Sequence, residues 1–167
     1  MGLPEWKKLA IAPVAALLKR HGFRKSGTTF TAVRPGAVLI VSIQSSTGST
    51  QAGLKVTANV GISLDLLAAK FGSGGRNVWE SHWRKRIGFY LPSPEDYWWY
   101  CRSDAEATQA GQEMASLLET RALPEMERLG SPAALAKLWA VGSSPGLTDV
   151  ERQDYLRSLA KAGVIQG

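Results

Sequence analysis

The chain has 167 residues, 44% hydrophobic and 20% charged, with a formal net charge of +6. That length and apolar content suit one domain with its own core, so we read residues 1–167 as a single domain. The lone cysteine, Cys101, excludes an internal disulfide and any multi-cysteine metal site, and the two histidines, His21 and His82, lack metal-ligand spacing.

Pro4 to Arg20 carries Trp6, Leu9, Ala10, Val14, Leu17 and Leu18 at three- and four-residue spacing, which predicts an amphipathic helix. Pro13 is expected to kink or restart that helix, and Gly22 to stop it, with His21 as a C-terminal cap. Thr28–Arg34, Ala37–Gln44 and Leu54–Ile62 are rich in β-branched residues and read as three strands. Pro35-Gly36 is a two-residue turn that sets Arg34 opposite Ala37 and Phe30 opposite Val41. A bulge or wider loop is expected there, because type II turns splay tight hairpins. Phe30, Ala32, Leu39, Val41 and Ile43 then share one face with Leu54, Val56, Ala58, Val60 and Ile62. Thr29, Thr31, Val38, Ile40, Ser42, Gln44, Thr57 and Asn59 take the other.

Asp65–Lys70 reads as a short helix and Gly72–Gly75 as a linker, since it lacks the Gly-Lys-Ser/Thr ending of a phosphate loop. Asn77–Lys85 is expected to be helical, stacking Trp79 on Trp83 and pairing Glu80 with Arg84. Arg86–Leu91, burying Ile87, Phe89 and Leu91, is expected as a fourth strand, and Tyr97–Arg102 as a fifth. Trp98 and Trp99 must then point to opposite faces, one entering the core. Cys101 reads as a small buried hydrophobe. The helical half, 104–167, follows. Ser103 with Glu106 and Thr148 with Glu151 read as capping boxes, and Ser131-Pro132 as a helix start. Pro124 marks a break or kink, and the acidic residues between Ser103 and Leu129 read as a solvated face. The fold expected is α+β: an antiparallel sheet of about five strands, with an N-terminal helix and C-terminal helices packed on one face.

The order of short motifs resembles a bacterial family known as domain of unknown function 4304. It runs through His21-Gly22-Phe23-Arg24-Lys25, Gly27 and Phe30, then Gln44, Asn59-Val60-Gly61, Arg86-Ile87-Gly88, Trp98-Trp99 and Leu123-Pro124, over roughly residues 5 to 130. The resemblance implies an α+β fold and no established activity. Members in toxin–immunity gene neighbourhoods imply an immunity-protein-like, protein-binding role.

The residues themselves carry no histidine–carboxylate–nucleophile signature, metal spacing or dinucleotide fingerprint, so no catalytic residue, cofactor or metal is assigned. Residues 1–103 hold 14 of the 20 basic side chains and only 5 of the 14 acidic ones. Such a basic half invites phosphate, but its cations fall mostly in short pairs that a solvated helix face explains as well. The longest aliphatic run, Ala37 to Val41, is too short to cross a bilayer, so no membrane partner is expected. With no signal-peptide pattern at the start, the chain reads as cytoplasmic. The function expected is a non-catalytic binding domain for a protein or small ligand. The alternatives are weak nucleic-acid binding through the basic half and an enzyme of unknown reaction. Gln44, Asn59, Arg86 and one of Trp98 or Trp99 are the candidate binding residues, with Arg86 free to clamp an anion or to pair with Glu80 or Asp96. The opposing reading is that this polar face is covered and bonds internally.

Overall fold

The computed structural model describes residues 2–46, 52–71, 77–143 and 147–165; the expected Gly72–Gly75 linker lies outside them. Helix α1 spans Leu3–Arg20 without interruption at Pro13. A side chain at Gly111, in the helix Asp104–Leu117, would run into the Ala10 carbonyl and the Pro13 ring, so that helix and α1 approach backbone to backbone where Pro13 lies. Gly22, at φ 83°, ends α1. Its N–H bonds the Lys19 carbonyl and that of Phe23 bonds Leu18, the double cap that needs a left-handed residue between them.

Strands β1 (Arg24–Ser26), β2 (Thr29–Arg34), β3 (Ala37–Ser45) and β4 (Leu54–Leu64) follow as an antiparallel meander. The pairs Arg34–Ala37, Ala32–Leu39 and Phe30–Val41 form as the turn and the apolar alternation require. No bulge interrupts them, and Gly36 supplies φ 75° at the second corner. Strand β1 was not legible because Arg24, Lys25 and Ser26 are all exposed and show no alternation.

Helix α2 (Asp65–Phe71) leaves the end of β4. Beyond it the expected helix Asn77–Lys85 does not form. Val78–Glu80 is one 3-10 turn, capped by the Asn77 side chain, and Trp83–Arg86 is strand β5. The i, i+4 spacing of Trp79 and Trp83 was therefore misleading: Trp83 is 1% exposed in the core and Trp79 is 52% exposed. Arg84 donates to the Trp79 carbonyl. Ile87–Tyr90, expected as strand, is a second 3-10 turn, which exposes Phe89 and buries Tyr90. Strand β6 is short, Trp99–Cys101. Both β5 and β6 pair with β4, at Asn59–Ile62 and at Leu54–Val56 respectively, so they lie end to end along one edge.

The remaining helices are α3 (Asp104–Leu117), α4 (Leu123–Leu129), α5 (Pro132–Ala140) and α6 (Asp149–Lys161). A π-helical turn, Leu118–Ala122, joins α3 to α4, with the Leu123 N–H reaching back to the Leu118 carbonyl. This wide turn relieves the clash between the Pro124 ring and the preceding turn, so the expected break is a bulge in a continuing helix. Ser103 caps α3, but Glu106 accepts from the Arg102 N–H, so the box is half formed; at α6 it is complete.

One cluster of buried side chains joins α1, the inner face of the sheet and α3 to α6. Most of the acidic residues read as a solvated face are exposed, and three of them also reach the sheet and the turn that follows β5. Glu127 takes Arg34 at 2.6 Å, Glu113 takes Trp99 Nε1 at 2.6 Å, and Glu125 takes both Tyr90 Oη at 2.7 Å and Lys85 at 3.2 Å. Burial and Glu125 together hold the Tyr90 phenol above its ordinary pKa.

Candidate functional site

Strand alternation sends Thr57, Asn59 and Gly61 of β4 to the face opposite the core, beside Gln44 and Ser42 of β3 and Arg84 and Arg86 of β5. Gly61 lets the Val78–Ser81 turn lie directly on the sheet, since a Cβ there would strike the Ser81 side chain and crowd Val78. That turn leaves Ile40 of the outer face fully buried. Further along, the connection between β5 and β6 folds back over the same face. Thr57 Oγ1 donates to the Tyr97 carbonyl at 2.8 Å, and Gly88 admits the backbone of Glu95 and Tyr97 against itself.

Between these two covers lies a hydrogen-bonded network. Asn59 Nδ2 donates to Gln44 Oε1 at 2.9 Å, and Arg86 donates to Asn59 Oδ1 at 3.2 Å and to Gln44 Oε1 at 3.3 Å. Arg86 also reaches Asp96 at 2.8 Å, and its guanidinium sits 5.0 Å from the Trp98 ring centre. Three of the expected binding residues thus meet as a bonded set, with Trp98 as its lid. Trp99 is the tryptophan that enters the core, on the other face. Arg86 takes Asp96 rather than Glu80.

Beside the network opens a cavity of about 490 Å³, lined by Asn59, Val78, Trp79, Arg84, Lys85, Arg86 and Phe89. A second, of about 360 Å³, lies past Trp98, against Ser46, Lys55 and Tyr100. Trp79, Arg84 and Phe89 were not among the candidate binding residues because a helical period was imposed on 77–85 and a strand period on 86–91. The Arg84/Arg86 alternation was the available signal. Among the described residues, no three His, Cys, Asp or Glu side chains gather where they could hold a metal ion. His82 is 1% exposed, its Nδ1 accepts the Leu64 N–H at 2.9 Å, and its ring meets Tyr155 edge-on at 5.2 Å. Burial lowers its pKa to about 4, so it stands neutral as a structural acceptor. Burial likewise pushes the Cys101 thiol up to about 11, which makes it a poor nucleophile.

An antiparallel meander backed by helices, with a polar network and an open cavity on its far face, defines an α+β domain. The chain belongs to the family described as domain of unknown function DUF4304, whose model matches residues 14–128. That match takes in the whole sheet, the network and the cavity, and stops before α5. No curated protein and no solved structure matches the chain. Among the described residues, no helix is long and apolar enough to cross a membrane.

Proposed function

We propose that this is a non-catalytic binding domain and that the 490 Å³ cavity beside β5 is its site for a small ligand. The supporting observation is the lining. The cavity has the volume of ordinary ligand pockets, apolar walls from Val78, Trp79 and Phe89, and a few fixed polar groups. The lining side chains are guanidinium, ammonium, carboxamide and hydrocarbon. Such groups suit the positioning of a molecule, and the amine among them, Lys85, is held by Glu125 at 3.2 Å.

Nucleic-acid binding is less well supported. Arg24 and Lys25 lie on β1 and Arg84 and Arg86 on β5, at opposite edges of the sheet. Four strand spacings separate them, roughly 19 Å, so they form no single track. Arg20 and Lys85 are already matched by Glu119 and Glu125.

A thermal-shift screen of chemically diverse fragments tests the proposal. Hits are expected to raise the melting temperature of the native chain, to lose that effect in Trp79→Ala, and to be recovered chemically unchanged. Hits that ignore Trp79→Ala, or that are converted to product, refute it.

A further inference from the structure

The cavity beside β5 is lopsided in its hydrogen bonding. Among its described lining side chains the one acceptor atom is Asn59 Oδ1, and that oxygen already takes Arg86 at 3.2 Å. The other side chains are hydrocarbon or donors. Two of the donors are engaged elsewhere. Lys85 meets Glu125 and lies 4.3 Å from the Tyr90 ring centre, and Arg84 donates to the Trp79 carbonyl and has a further interaction besides. Arg86 differs. A guanidinium has five N–H groups. Those of Arg86 go one each to Asn59, Gln44 and Asp96, which leaves one on each Nη. Asn59 gives one amide N–H to Gln44 and keeps the other. Trp79 adds an indole N–H on a ring that is 52% exposed. The charge of Arg86 is meanwhile matched by Asp96 at 2.8 Å. What the wall offers is therefore spare N–H groups rather than a spare cation.

We infer that the cavity takes a flat, neutral molecule whose rim carries hydrogen-bond acceptors and no donors, such as a ring ketone, a lactone or a ring nitrogen; this rests on the reading of the cavity as a ligand site. The ring lies against Trp79 and Phe89, and its acceptor meets the spare N–H groups of Arg86 and Asn59. A hydrocarbon of the same shape strips water from those groups and returns nothing, which leaves them unsatisfied. A donor-bearing molecule sets N–H against N–H. An anion competes with Asp96 for Arg86 and is repelled by it, whereas a neutral acceptor displaces only water.

The test uses the full chain and three flat bicyclic probes of similar size: coumarin, which only accepts hydrogen bonds, indole, which only donates, and 2-naphthoate, an anion. Calorimetry measures affinity. In isotope-labelled protein the indole N–H signal of Trp79, identified by its loss in Trp79→Phe, reports the place. Coumarin is expected to shift that signal and to bind about tenfold tighter than indole, with 2-naphthoate no tighter than coumarin. Arg86→Lys keeps a cation opposite Asp96 but removes the fork of N–H groups, and should bring coumarin to within about twofold of indole. If that variant does not fold, the guanidinium N–H signals of Arg86 take its place: they should shift with coumarin and not with indole, and indifference to coumarin overturns the inference. Equal binding of coumarin and indole, both lost in Trp79→Ala, overturns the acceptor preference and leaves the ligand site standing. Coumarin binding that survives Trp79→Ala unchanged lies elsewhere and overturns the inference, and 2-naphthoate binding about tenfold tighter than coumarin overturns its neutral form. No binding by any probe at millimolar concentration also overturns it; an empty fragment screen would remove the ligand site as well.

Discussion

On the inner face of the sheet Phe30, Leu39, Val41 and Val60 are almost fully buried under helices. One residue along in each strand, the outer face carries Thr29, Ile40, Ser42 and Asn59 under two short irregular covers, with an open cavity beside them. The inner face is held by area removed from water, which is tolerant of direction and intolerant of lost volume. The outer face is held by a few directed bonds among Gln44, Asn59 and Arg86, which tolerate little change of chemistry. A face built by directed bonds can also keep a concavity open, because its shape does not depend on filling every gap.

The largest effect expected of a single change falls on the inner face. Trp83→Ala should cost about 3–5 kcal/mol and Val60→Ala about 1–3 kcal/mol in denaturant unfolding. A smaller loss for Trp83 than for Val60 would break the contrast. Next comes acidification. His82 titrates at about 4 when folded against 6.5 when unfolded, so the unfolded chain binds the proton more readily. Stability should be complete above pH 6.5 and fall by on the order of 3 kcal/mol as pH drops to 4. His82→Gln should flatten that part of the profile; an unchanged slope would place the pH dependence elsewhere.

On the outer face Gln44→Ala orphans one donor each of Asn59 and Arg86, so we expect a loss of about 1–3 kcal/mol. This is the outcome that belongs to the reading of the polar face as covered and internally bonded, not to the reading of it as an open binding surface. A double-mutant cycle between Gln44→Ala and Arg86→Ala should show a coupling of about 0.5–3 kcal/mol, and strict additivity would mean that the network is not a unit. The smallest change belongs to Trp79→Ala, within about 0.5 kcal/mol in stability while abolishing ligand-induced stabilisation.

How much of this was readable depended on whether one physical rule governed a stretch. From Thr29 to Ile62, strand alternation and a proline–glycine turn agree, and the pairing they dictate is the pairing formed. The opening helix and the cap residues Gly22, Ser131 and Thr148 were legible for the same reason. Between Asn77 and Leu91, tertiary contacts override the local period. Trp83 goes inward because β4 offers a free edge, and Gly61 and Gly88 let irregular backbone lie against its neighbours. Glycine's missing side chain reads as flexibility in a sequence and as closeness only in a structure. Gln44, Asn59 and Arg86 were found because each falls in a stretch read as strand; Arg84 was hidden by the helical period laid over 77–85, and Trp79 and Phe89 by the irregular turns that present them.

The wide turn between α3 and α4 sets the phase of everything after it. Each residue of a regular helix turns the chain by about 100°, so removing one residue from Leu118–Ala122 would give a smoother helix and rotate α4 by about that angle. Met126 and Leu129 would swing toward water, and Glu125 and Glu127 would leave Tyr90, Lys85 and Arg34. The bulge therefore works as a spacer in a gear train: its exposed side chains Glu119, Thr120 and Arg121 can change, but the number of teeth cannot.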